Sequence, residues 1–284
     1  RASVVPAASP VGAAHRLPPA AAAGPPGGAP AADLTGAAHL GGCSAAVVRV
    51  PGARPRQPAL LLTNGHCLPD GMPGPGVVRV DEPAAVPVTV RGPGDRSAEV
   101  RADRLLYATM TGTDVALYRL SDSYATLRAR AGVTPFTLAA RGPRPGAAVR
   151  VPSAYWGRVY HCTVEALVPR LREHHWTWRA AIRYAPDCQP VGGTSGAPLV
   201  AAGTRTVVGV NNTGNEQGGR CTLMNPCEVD GRGRVTVRPH RGYGQQTAGL
   251  RGCLRGGVRL DLSLPGCRLP RGAPAAGPPS PPAR

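Results

Sequence analysis

An all-β fold is predicted for this chain of 284 residues by three features. Short runs of β-branched and aliphatic residues recur along it, Gly, Pro or Asp closes each run, and helical periodicity is scarce. The first series reads "SAAVVRV", "PALLLTN", "GVVRV", "VPVTVRG" and "DVALYRL". A stretch at 121–146 follows, rich in turn-formers with a weak helical start, and is read as an internal boundary. The second series is "GAAVRVPSAYW", "RVYHCTVEALV", "HHWTWRAAIRY", "GAPLVAA", "TRTVVGVNN" and "RVTVRP". The pattern is one of about six strands, a linker and about six more, with regular turn signals.

The ends differ in character. Residues 1–40 are mostly Ala, Pro and Gly and are expected to be a disordered leader or the remnant of a pro-segment; 269–284 is expected to be a Pro/Ala-rich disordered tail. Between them, 41–130 and 131–268 are assigned to the two strand series. The chain starts at Arg1, without an initiator Met, and is expected to be a processed form.

Composition narrows the function classes. No stretch approaches the ~20 apolar residues of a membrane-spanning helix, so no membrane span is expected. The eight cysteines, Cys43, Cys67, Cys162, Cys188, Cys221, Cys227, Cys253 and Cys267, contain no C-x-x-C pair. That argues against zinc and for disulfides made in an oxidising compartment, hence a secreted, extracellular protein. Spacing alone does not choose their connectivity.

The net charge of +17 comes entirely from arginine, for the chain has no lysine. Dispersed arginines and a single Phe argue against a stacking platform for nucleic acid. The densest patch is "GRGRVTVRPHRG", where strand alternation would put Arg232, Arg234 and Arg238 on one face. A contact with an acidic polymer or cell envelope is one reading of it; a solvated edge strand whose charges block aggregation is the other.

"VGGTSGAPLV" sets Ser195 among glycines. A serine nucleophile needs a base for its proton, and attack on a carbonyl creates an oxyanion that needs donors in place. Glycines let backbone N–H groups turn toward that oxygen. "LLLTNGHC" supplies His66 at the end of an apolar run, and "TGTDVALYRL" supplies Asp114 at the entrance to another.

In their order His, Asp, Ser, these three stretches resemble the chymotrypsin-like (trypsin-like) serine endopeptidases of the bacterial secreted type. "TNGHC" is similar to the family's T-A-A-H-C or T-A-G-H-C, "DVAL" to its D-I-A-L, and "GTSGAP" to its G-D-S-G-G-P. The resemblance implies two six-stranded antiparallel β-barrels, with His66 and Asp114 on the first, Ser195 on the second, and the site in the cleft between them. It implies a peptide hydrolase acting through an acyl-enzyme, with Ser195 as nucleophile, His66 as general base then acid, and Asp114 orienting the imidazole. The backbone N–H groups of Gly193 and Ser195 would form the oxyanion hole. No cofactor or metal is called for, protein or peptide substrates are the expected partners, and the enzyme is expected to be a monomer.

The resemblance also implies pairing of Cys43 with Cys67 and of Cys162 with Cys188, leaving Cys221 with Cys227 and Cys253 with Cys267 as local closures. Departures from the family are visible too. Thr194 stands where the family has Asp or Asn before the serine, so capture of a newly cut N-terminus is not expected. Gln189 stands where trypsins carry Asp, so a preference for Arg or Lys at the cut site is not implied. The pocket wall reads "VVGVNNTG", closer to the bacterial glutamyl endopeptidases, and Gln189, Asn212 and Thr213 are expected to line a substrate pocket for a polar or small side chain.

An α/β-hydrolase order, Ser195, Asp230, His240, lacks the final glycine of G-x-S-x-G, because Ala197 stands there, and lacks alternating helices. A protease-like fold without catalysis, binding through its basic face, is the alternative from a different class. His174 and His175 beside Trp176 and Trp178 complete no metal site; the two tryptophans read as core, and "NNT" at Asn211 reads as pocket wall, not a glycosylation acceptor.

Overall fold

The computed structural model describes residues 33–272. Six strands form the first half: β1 (Ala37–Leu40), β2 (Cys43–Arg49), β3 (Pro58–Thr63), β4 (Val78–Arg91), β5 (Ser97–Thr109) and β6 (Val115–Ser123). They pair antiparallel in the order β1-β4-β5-β6-β3-β2, and β1 pairs again with β2, so the sheet closes on itself.

A helix, α1 (Tyr124–Ala131), and a short strand, β7 (Phe136–Leu138), occupy the expected boundary. Ser123 caps the helix by accepting from the Thr126 N–H, and Gly132 ends it in the left-handed region. The second half comprises β8 (Ala148–Ser153), β9 (Arg158–Glu173), β10 (Trp176–Tyr184), β11 (Pro198–Ala201), β12 (Thr206–Gly214), β13 (Cys227–Val229), β14 (Val235–Val237) and β15 (Gly242–Gln246). Here β12-β11-β8-β9-β10-β15 also closes, through β12 with β15. The protein is thus an all-β fold of two six-stranded antiparallel barrels, the architecture the resemblance implies.

Several strands differ from the sequence expectation. The runs "GVVRV" and "VPVTVRG" belong to one long strand, β4, with an irregularity between Pro83 and Val86. Strands β5 and β15, absent from the expected runs, are needed to close each barrel. Residues 37–40, assigned to a disordered leader, form β1, because Ala37 and Ala38 are small enough to pack fully buried against neighbouring strands. The rest of the leader expectation, up to residue 32, lies outside the described residues. Leu269 packs on the core and the Pro270 carbonyl accepts from the Tyr107 hydroxyl, so the start of the expected tail is ordered; residues 273–284 lie outside the description.

The arginine patch is also rearranged. Only 235–237 is strand, and Arg232 and Arg234 sit in the preceding turn, where Asp230 accepts from both backbone N–H groups. Arg234 pairs with Asp230 and Arg238 with Glu228, so no single strand face carries the three charges.

Packing explains the unbroken apolar runs 45–48 in β2 and 59–62 in β3. Ala45, Val47, Ala59 and Leu61 point into the first barrel, while Ala46, Val48, Leu60 and Leu62 point outward into a layer shared with Val200, Val207 and Val210 of the second. Both faces are buried, so alternation disappears. β7 adds a backbone link, pairing parallel with β2 on one side and β12 on the other.

All eight cysteines are paired, as Cys43–Cys67, Cys162–Cys188, Cys221–Cys227 and Cys253–Cys267. Among the described residues no helix is long and apolar enough to cross a membrane.

Candidate active site

His66 follows directly from the way β3 ends. The strand stops at Thr63, whose hydroxyl donates to the Ser44 carbonyl, and one turn of 3-10 helix, Gly65–Cys67, presents the imidazole. The Cys43–Cys67 bridge ties that turn to β2. Asn64 fastens it from the other side by donating to the Asp114 carbonyl at 2.8 Å.

Asp114 is fully buried at the entrance to β6. Its Oδ1 accepts from the His66 backbone N–H at 3.1 Å, and its Oδ2 lies 2.8 Å from His66 Nδ1. An ionised carboxylate only accepts, so Nδ1 carries the proton and neutral His66 keeps its lone pair on Nε2. Burial pulls the His66 pKa down, but the charge and hydrogen bond of Asp114, with the charge of Glu173, outweigh it and leave the pKa above 6.5.

Ser195 sits in the turn before β11. The first barrel grips this turn: the Ser44 N–H donates to the Ser195 carbonyl at 2.8 Å, and Ser44 Oγ donates to the Gly193 carbonyl at 3.0 Å. Ser153 Oγ, 2.8 Å from Ser44 Oγ, can then supply the proton of that third bond. From within the second barrel, Tyr184 donates to Asn211 Oδ1, Asn211 Nδ2 donates to Thr194 Oγ1, and Thr194 Oγ1 donates to the Val191 carbonyl. Gly193 and Gly196 have φ of +86° and +83°. A Cβ on Gly196 would overlap the Ser44 carbonyl oxygen and Thr63 Oγ1, so glycine is required by space as well as by backbone.

The Ser195 hydroxyl donates to the Asn212 carbonyl at 3.0 Å, and no hydrogen bond joins it to His66. The backbone N–H groups of Gly193 and Ser195 donate to no acceptor among the described residues. His66, Asp114 and Ser195 line one cleft of about 250 Å³, together with Asn212 and Thr213. Gln189 does not: it is exposed in an adjoining depression, and its amide donates to the Pro186 carbonyl. The imidazole also lies close to the sulfurs of Cys43 and Cys67, but a disulfide leaves neither sulfur free as a metal ligand.

The chain matches the family model of the trypsin-like peptidase domain over residues 43–210, more than half its length. It belongs to the trypsin-like peptidase family. Among solved structures, it is similar to the MamO protease domain from Magnetospirillum magneticum at 17% identity and a TM-score of 0.49, over 78% of this chain and 97% of that one. The Nocardiopsis protease is similar at 17% identity and a TM-score of 0.42, over 76% and 93%. Cellulomonas bogoriensis chymotrypsin is similar at 17% identity and a TM-score of 0.40, over 75% and 91%. No curated protein sequence matches significantly.

Within this trypsin-like domain, Thr194 is wholly internal, a knot in the loop's hydrogen-bond chain. Asn211 is buried with both amide atoms in use, which agrees with its reading as pocket wall and leaves no room for a glycan. Trp176 and Trp178 are buried core residues, as expected. Two further residues were not visible in the sequence. Ser44, within "SAAVVRV", and Glu173, within "RLREHHWTW", belong to none of the three motifs; each acquires its place through contacts with distant segments.

Two expectations follow. Gly196→Ala should destabilise the fold by about 3 kcal/mol, combining left-handed backbone strain with overpacking, and denaturant unfolding measures this. NMR titration of His66 should give a midpoint above 6.5, and Asp114→Asn should bring it below 6.5, because burial then acts with less opposition.

Proposed function

We propose that this chain is a secreted serine endopeptidase in which Ser195, His66 and Asp114 act as one catalytic unit without a cofactor. The observation that supports this best is the pairing of His66 Nδ1 with buried Asp114 in the cleft that also holds Ser195. Four disulfides accord with an oxidising, extracellular setting.

The chemistry requires the Ser195 hydroxyl to leave the Asn212 carbonyl and donate to His66 Nε2; such bonds commonly tighten only when substrate is bound. Ser195 Oγ then attacks the substrate carbonyl while its proton passes to Nε2. The oxyanion so formed lies within reach of the Gly193 and Ser195 N–H groups. His66 returns the proton to the leaving amine, and water repeats the sequence on the acyl-enzyme. Asp114 stabilises the imidazolium in both halves and stays ionised.

A fluorophosphonate probe tests the assembly. Mass spectrometry should find one adduct, on Ser195, lost in His66→Ala and retained in His240→Ala. Because only neutral His66 can accept the proton, kcat/KM should rise with pH through a midpoint above 6.5. No adduct on the oxidised protein overturns this reading and favours a binding module on a protease fold.

A further inference from the structure

Asp114 and Glu173 are the two buried carboxylates among the described residues. Asp114 faces His66, but Glu173, at the end of β9, has no arginine in ion-pair range in a chain with 33 basic residues. Its Oε2 accepts from Thr213 Oγ1 at 2.7 Å and its Oε1 from the Met224 N–H at 2.9 Å. The other carboxylates without an ion pair, Asp95, Glu99, Asp187 and Glu216, are exposed, where water solvates them. Two neutral donors offset only part of the cost of burying a carboxylate, and burial accordingly pushes the Glu173 pKa up.

Glu173 lines the cleft of His66 and Ser195. So does Asn212, which is only 2% exposed and whose Nδ2 and Oδ1 both lack a hydrogen-bond partner. None of the described residues lining the cleft is an arginine, and Glu216 adds a negative charge at its edge. The walls are apolar: all three methionines of the chain, Met72, Met110 and Met224, face this cleft, with Leu223 and Trp178. The Cys221–Cys227 bridge closes the loop that brings Leu223 and Met224 there.

Apolar walls with a buried, cation-less carboxylate and unpaired amide atoms match a side chain with a long aliphatic stem and a charged tip. We propose that Glu173 forms the end of a subsite for an arginine or lysine side chain of a bound peptide, with Asn212 supplying a further acceptor and the methionines holding the stem. This rests on the peptidase reading for its substrate class. It does not derive from position 189, which is the neutral Gln189 and lies outside this cleft.

The test separates binding from catalysis. The full, oxidised Ser195→Ala chain is titrated by calorimetry, at physiological salt, with capped alanine hexapeptides carrying one arginine at each position in turn. The same peptides with citrulline, a neutral isostere, serve as controls. At one position arginine should bind on the order of tenfold tighter than citrulline. Glu173→Gln in the same background should remove that difference and keep the citrulline affinity. Equal affinities at every position, no measurable binding of the arginine series, or a preference that survives Glu173→Gln would each overturn the proposal. The first two need only the chain with Glu173 intact. A chain that forms no fluorophosphonate adduct yet shows the Glu173-dependent preference keeps the subsite and loses the peptidase; an adduct without the preference does the reverse.

Discussion

Everything in the site depends on one close approach, that of the Ser195 turn of the second barrel to Ser44 on β2 of the first. There the Ser44 N–H holds the Ser195 carbonyl, its hydroxyl holds the Gly193 carbonyl, and its own carbonyl takes the Thr63 hydroxyl at the end of the histidine-bearing strand. One residue therefore fixes both the nucleophile turn and the start of the His66 turn. Gly196 allows the distance, since any side chain there would push the barrels apart. The parallel strand β7 reinforces this by splicing the sheets along their edges.

The electrostatics divide sharply between outside and inside. The surface carries an excess of arginine, some of it tied to carboxylates, as in the cluster of Arg183 and Arg241 on Glu165 and of Arg183 and Arg238 on Glu228. The cleft instead holds Asp114 and Glu173. A basic peptide is thus repelled at long range, where salt screens within about 10 Å, and attracted only on entry, where low dielectric strengthens the interaction. Such a layout makes discrimination a matter of the final contacts more than of encounter.

The fold class and the cysteine partners were legible in the sequence, the latter through resemblance to a family whose three motifs stand here in order. The missing strands were hidden for identifiable reasons. In β5 the inward positions begin with Ala98, Val100 and Ala102, too small to mark an apolar period between charged neighbours. β15, "GYGQQ", has Tyr243 as its single strand-favouring residue and is extended because it fills the gap between β10 and β12. At the site, His66, Asp114, Ser195, Asn212 and Thr213 share a cleft. Glu173 escaped because nothing local distinguishes a buried glutamate from a solvated one when its partners, Thr213 and Met224, lie 40 and 51 residues away.

The placement of sulfur has a chemical consequence of its own. Every cysteine is spent in a disulfide, so the oxidisable thioethers of Met72, Met110 and Met224 are the remaining soft sulfur, and all three border the cleft. Met72 and Met224 are nearly half exposed, at 45% and 48%. Peroxide reaching this protein would convert apolar walls into sulfoxide dipoles at the mouth of the cleft while leaving the barrel cores intact. The molecule is built to endure an oxidising environment in its frame, and to feel it first where a ligand would bind.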